Sequence, residues 1–219
     1  MRSRIGRTLV VSLIALAPAA AQAGPPLLCH PIPIGDARSL AWGDGGSWNA
    51  PSPGYDPARL AEDALDRLGP QTPVLVRMET LRRAVIYASG DASAAASLFE
   101  ALRSRAAAPG GGKPDPLARF DLGYAVEAFR QARKGGERLE GADEGYALVR
   151  QALAARGPDP QMEYAAALIT CDRARRGLSD EHLKAAMAGA TVDSALARTL
   201  VAHRPLWGDR IQALKATAR

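Results

Sequence analysis

Residues 114–134 read Pro-Asp-Pro-Leu-Ala-Arg-Phe-Asp-Leu-Gly-Tyr-Ala-Val-Glu-Ala-Phe-Arg-Gln-Ala-Arg-Lys. Asp115 stands where a capping carboxylate accepts from the free N–H groups of a helix start. Pro116 follows at the first helical position, where its missing donor costs nothing. Beyond it the apolar residues step by three and four. Leu117, Phe120, Tyr124 and Ala128 mark one face, and Leu122, Ala125, Phe129 and Ala132 mark a second. A helix apolar on two faces is packed on both sides, so this segment is expected at the centre of a helical fold.

The same punctuation recurs along the chain. Asp56-Pro57, Thr72-Pro73 and Asp159-Pro160 repeat the cap-then-proline start, and Asp91, Ser179 and Asp193 are further candidate caps. Gly69, Gly90, Gly135, Gly157 and Gly177 follow apolar periodic runs, as helix stops do. The pattern predicts helices over 57–68, 73–89, 92–107, 116–134, 143–156, 160–176, 180–189, 192–202 and 205–217. Val74, Met78, Leu81, Val85 and Ala88 lie on one face of the second. Val, Ile and Thr rarely cluster and strict alternation is missing, so no sheet is expected. The fold class is all-α, with helical hairpins packed as a short array or bundle over 57–219.

Residues 24–56 are different. Pro25, Pro26, Pro31, Pro33, Pro51 and Pro53, with Gly43, Gly45 and Gly46, leave no helical period. They predict an irregular arm with one short strand, anchored to the helices by Trp42, Trp48 and Tyr55. The glycine-rich link 108–114 separates 57–107 from 116–217 and reads as a long surface loop within one domain.

A length of 219 residues with 47% hydrophobic and 23% charged suits one domain with a sizeable core, and excludes a disordered or collagen-like chain. Residues 1–23 have the form of a signal peptide: Arg2, Arg4 and Arg7, a short apolar run from Leu9 to Ala17, and the small-x-small triplet Ala21-Gln22-Ala23. The run is too short for a bilayer, which needs about 20 apolar residues. Cleavage after Ala23 predicts a periplasmic or secreted protein with no membrane anchor. Without the three signal arginines, 25 basic residues face 23 acidic ones, a net of +2 instead of +5. That balance argues against nucleic acid as a partner. The basic residues are 24 Arg against Lys113, Lys134, Lys184 and Lys215, and Asn49 is the sole asparagine, a bias expected of a GC-rich bacterial genome. Export also favours a disulfide between Cys29 and Cys171, which would staple the arm to the helical body. Closing so long a loop would stabilise by about 4–5 kcal/mol.

Pro114-Asp115-Pro116 recurs 44 residues later as Pro158-Asp159-Pro160. Each follows a helix ending in arginines (Arg103 and Arg105, then Arg150 and Arg156) and opens a helix with an early ring, Phe120 or Tyr164. With Leu122-Gly123-Tyr124 and alanines at tight packing points, residues 73–176 resemble the tetratricopeptide class of helical repeats. That resemblance implies a concave surface that binds a peptide or protein.

Motifs for chemistry fail one by one. Gly110-Gly111-Gly112-Lys113 is followed by Pro114 instead of the Ser or Thr of a phosphate loop, and no strand precedes it. Gly45-Gly46-Ser47-Trp48-Asn49 misses the last glycine of a nucleophile elbow. Among His30, His182 and His203 there is no metal-spaced pair, and Cys29-His30 lacks the first cysteine of a haem attachment. The pairs Asp143-Glu144 and Asp180-Glu181 read as first-turn dipole charges, and Arg173, Arg175 and Arg176 as last-turn ones.

The expectation is therefore a non-catalytic protein- or peptide-binding module without a cofactor. Its surface would be the polar face of the central helices, at Arg77, Arg83, Arg130 and Arg133. One alternative is an enzyme or small-ligand site between arm and helices, near His30, Asp36, Asp44 and Trp48. Another is a metal or redox protein using Cys29 and His30.

Overall fold

Four aspartates set the helix starts. The side chains of Asp56, Asp91, Asp115 and Asp159 accept from the N–H groups of Ala58, Ala94, Leu117 and the pair Gln161 and Met162, at 2.9–3.1 Å. The computed structural model describes residues 24–43, 47–107, 114–133, 144–172 and 174–217. A 3-10 turn, Pro57–Arg59, leads into α1 (Leu60–Arg67). Then follow α2 (Val74–Ala88), α3 (Ala92–Ala106), α4 (Pro116–Ala132), α5 (Glu144–Arg156), α6 (Pro160–Ile169), α7 (Arg176–Ala188), α8 (Ala195–Ala202), α9 (Arg204–Trp207) and α10 (Arg210–Thr217). The fold is all-α. In place of the expected strand, the arm carries a single antiparallel bridge between Trp42 and Pro51.

The consecutive pairs α4–α5 and α6–α7 make the most extensive contacts. Each pair opens at one of the two Pro-Asp-Pro boxes. Gly123 and Gly145 let α4 and α5 touch by their backbones: a Cβ on Gly123 would lie 2.5 Å from the Gly145 carbonyl oxygen. The centre of the body is shared, because α2 packs against α1, α3, α4 and α6. Twelve of its fifteen residues are buried, so it is enclosed on every side.

The arm is what closes α2. Leu27, Leu28, Ile32 and Leu40 join the apolar core. Glu79 and Arg82, both 1% exposed, form a buried ion pair at 2.8 Å. Arg83 Nε also donates to Glu79 Oε1 (2.8 Å), and the pair's other bonds go to arm backbone. Arg82 Nη1 donates to the carbonyls of Leu28 (3.0 Å) and Trp48 (2.7 Å), and Ile32 N donates to Glu79 Oε2 (3.0 Å). Arg83 adds a bond to Leu40 O, and the Tyr87 hydroxyl donates to Ala41 O while accepting from Ser52 N. Trp42 and Tyr55 pack on Tyr87 with centroids 5.8 and 4.3 Å away, so these rings anchor the arm.

Several boundaries shift from the sequence reading. The helix expected to run to 176 stops at Ile169, where Thr170 Oγ1 donates back to Ala166 O and Asp172 then engages Arg175. Arg175 therefore precedes α7 instead of closing α6 (Arg173 lies outside the described residues). With α7 starting at Arg176, Ser179 is no cap. It is buried and donates to Ala167 O. Asp180 is no first-turn charge either, since it pairs with Arg210 at 2.7 Å. Ser194, not Asp193, caps α8, and Thr72 donates to Arg67 O instead of capping α2. The last expected helix breaks at Gly208, whose φ is +52°. Asp143, Gly135, the glycine-rich link at 108–113 and the signal-like segment 1–23 lie outside the described residues. Among those described, no helix is long and apolar enough to cross a membrane.

Removing one partner of a buried ion pair leaves a bare charge in low dielectric, at a cost of about 3–5 kcal/mol. Glu79→Ala is expected to destabilise the protein by that amount in urea unfolding. It should also expose residues 27–52 to protease well before the helices are cut.

Candidate functional site

A groove of about 700 Å³ opens between α7, α8 and the α9–α10 segment. That size falls within the range of ligand sites, roughly 300–1,000 Å³. Local sequence builds it. At the end of α7 the chain turns hard against the start of α6: a Cβ on Gly189 would lie 2.0 Å from Pro160 Cγ, so only glycine passes there. Asp193 then takes a left-handed φ of +60°, and Ser194 Oγ accepts from Ala197 N to start α8. Pro205 opens the one-turn α9, and Gly208 redirects the chain into α10.

Met187, Val192, Leu200, Val201 and Ile211 give the groove its apolar walls, while Ala188, Ala190 and Ala197 keep it open. Val192 and Val201 are 90% and 74% exposed, and Leu200 and Ile211 are only half-buried. Lys184 and Arg204 are the charged residues in the lining. Among the described residues no carboxylate, histidine or cysteine lines it, and the polar side chains of the lining are Lys184, Thr191, Arg204 and Gln212.

One hydrogen-bonded chain fixes the groove's outer wall. Trp207 Nε1 donates to the Tyr164 hydroxyl (3.2 Å), and that hydroxyl meets His203 Nδ1 (2.7 Å). His203 Nε2 meets Pro31 O at 3.0 Å. One tautomer satisfies every group: Nε2 carries the proton to Pro31, and Nδ1 accepts from Tyr164. The chain ties α9 to α6 and to the arm. Arg210 reinforces it, reaching Asp180 and Ser179 and lying 5.0 Å over the Trp207 ring. Burial holds the His203 imidazole down to about 4, and the neighbouring His30 ring, 5.6 Å away, pushes the same way.

The residues singled out from sequence do not converge here. Arg77 is fully buried, where it binds Asp121 at 2.6 Å and the Thr72 and Gly69 carbonyls, so it presents no partner surface. Burial pushes the Asp121 carboxyl up to about 6 against the pull of Arg77 and Arg105. Arg83 and Arg130 are half-buried on Glu79 and Glu127, and Arg133 is exposed at the end of α4. On the arm, His30 is buried and its Nε2 has no partner among the described residues. Asp36 is exposed, Trp48 is half-buried with its carbonyl on Arg82, and Asp44 lies outside the described residues. None of the described ones lines the α7–α8–α10 groove.

The expected Cys29–Cys171 bridge is not formed, and both are free thiols. Cys29 is buried at the foot of the arm against Gly24, while Cys171 follows α6 and lies 3.6 Å from Arg210 Nη1. Burial raises both thiols and so keeps them protonated. No group of three or more potential metal ligands is found among the described residues.

A second polar cluster escaped the sequence reading. His182 sits between the Tyr146 hydroxyl (Nε2, 2.7 Å) and Glu163 (Nδ1, 2.6 Å). The geometry is that of a hydroxyl–imidazole–carboxylate relay, but burial raises the Tyr146 phenol, the opposite of activation. The cluster joins α5, α6 and α7 side by side and serves as an interhelical tie.

His203 binds fewer protons folded than unfolded between about pH 4 and its ordinary 6.5, so it destabilises the fold as pH drops through that window. Asp121 works in the opposite sense between 3.8 and about 6, so the contrast between protein and variant isolates His203. In urea unfolding from pH 7 to 4, the wild-type chain is expected to lose up to about 3 kcal/mol relative to His203→Gln. Parallel pH profiles would refute the assignment.

Comparison with protein-family models, curated proteins and solved structures returns no match.

Proposed function

We propose that this chain is an exported, non-catalytic, helical-repeat-like module that holds a segment of another protein in the α7–α8–α10 groove. The observation that carries the reading is the pair of Val192 and Val201, exposed beside half-buried Leu200 and Ile211 on one concave surface. An exposed apolar patch in a concavity marks an interaction site more often than a scattered apolar residue does. The two successive hairpins, each opened by a Pro-Asp-Pro box, fit the repeat-like reading. The signal-like segment supports an encounter in the cell envelope or outside the cell. The position differs from the arginine face read in the sequence, because Arg77 and Arg83 are spent on the core and the arm.

A photo-crosslinking residue at position 192, used in the cells that make the protein, is expected to capture one defined polypeptide. Position 100 on α3, exposed and outside the groove, is the control. Val201→Glu should abolish the adduct while changing stability by less than about 0.5 kcal/mol, since that side chain is largely in solvent. Absence of an adduct, or equal capture at position 100, would overturn the proposal.

A further inference from the structure

We infer that the occupant of this groove is an amphipathic α-helix whose apolar stripe is flanked by acidic side chains. The inference rests on the groove being the binding site, and it specifies the partner's form and charge.

The form follows from backbone accounting. The walls are helices except where the α7–α8 loop contributes Ala190, Thr191 and Val192, and the helix ends beside the groove are closed. Gly189 N bonds to Ala185 O, Ala190 N to Met187 O, His203 N to Thr199 O and Gly208 N to Arg204 O. The described residues contain no strand, so the groove offers no edge to pair with. An extended peptide laid into these apolar walls would bury its own N–H and C=O groups without partners. A helix carries its hydrogen bonds internally and presents only side chains, at positions i, i+3 or i+4, and i+7. Helix-in-groove docking is the mode that this lining permits.

The charge follows from which side chains are already spent. Five arginines on α2, α4 and α10 are already engaged: Arg77 by Asp121, Arg82 and Arg83 by Glu79, Arg130 by Glu127 and Arg210 by Asp180. Lys184 on α7 and Arg204 on α9 are exposed, line the groove, and have no ion-pair partner among the described residues. Asp193 and Asp209 adjoin lining residues in sequence but do not line the groove themselves. A partner with Glu or Asp beside its apolar stripe finds two cations there, and one with Lys or Arg meets repulsion.

The test is selection from a displayed library of helical peptides about 18 residues long, roughly five turns. Apolar residues are held at the stripe and the flanks are randomised among Glu, Gln and Lys. Binders to the full chain are expected to carry Glu at the flanks and to lose binding when a central Pro breaks the helix. They should bind about tenfold tighter than their Lys-flanked versions, a gap that shrinks in high salt. The double variant Lys184→Glu, Arg204→Glu should reverse the flank preference. Selection indifferent to flank charge, yet abolished by Val201→Glu, would leave the groove as the site and overturn the charge assignment. Enrichment only of extended or Pro-tolerant peptides from an unbiased library would overturn the helical form. Self-association that Val201→Glu abolishes, with no peptide selected, would make a second copy the occupant and overturn the inference. Failure of both this selection and the crosslinking at position 192 would remove the groove reading with it.

Discussion

Glu79 and Arg82 face each other inside the body with almost no access to water. Two charges in such a place are tolerable only if every donor and acceptor finds a partner. Their own helix supplies one, the Arg83 side chain on Glu79 Oε1, but its backbone is committed to the helical ladder. The other partners come from residues 28, 32 and 48, each through a main-chain group. Only a segment without regular structure has such groups to give, because a helix or sheet would have used them internally. The proline-rich character of the arm is thus a condition of the core. It keeps carbonyls and N–H groups free at the places where α2 needs them.

The helices were legible because their signals are local. An aspartate before a proline satisfies the same N–H groups whatever surrounds it, and α4 and α6 begin where Asp115 and Asp159 say they do. Errors fell where a tertiary partner decided the outcome. Ser179 looks like a cap until Ala167 O is brought to it, and Asp180 looks like a dipole charge until Arg210 arrives from thirty residues away. Arg77 and Arg83 read as an exposed partner-binding face because charged residues on a helix usually point to solvent. Nothing in α2 alone shows that the carbonyls of Leu40, Ala41 and Trp48 will be brought to it.

The groove was half legible. In α8, Leu196, Thr199 and His203 step along the buried face, while Ala197, Leu200, Val201 and Arg204 step along the other. Leu196 on one face and Ala197, Leu200 and Val201 on the other give a shorter version of the pattern that placed 116–134 at the centre. Applied to 195–204, the same criterion calls for a neighbour on each side of α8. The body supplies one side, and the described chain leaves the other to solvent. What no pattern could show is the concavity itself, which depends on Gly189 passing under Pro160 and on Gly208 turning α10 back toward α7.

The way the outer wall is held bears on how such a groove would bind. The one-turn α9 buries Trp207, and the wall's position is set by directional bonds: Trp207 to Tyr164, Tyr164 to His203, His203 to Pro31, and Arg210 to Asp180. Arg210, which bonds to Ser179 as well as Asp180, ties α10 to α7 and holds their separation. The groove is therefore preorganised, and an occupant need not spend binding energy on opening it. The same bonds join the wall to Pro31 and so to the arm that completes the core. The Glu79–Arg82 pair that recruits the arm thereby supports, at one remove, the geometry of a surface on the other helices.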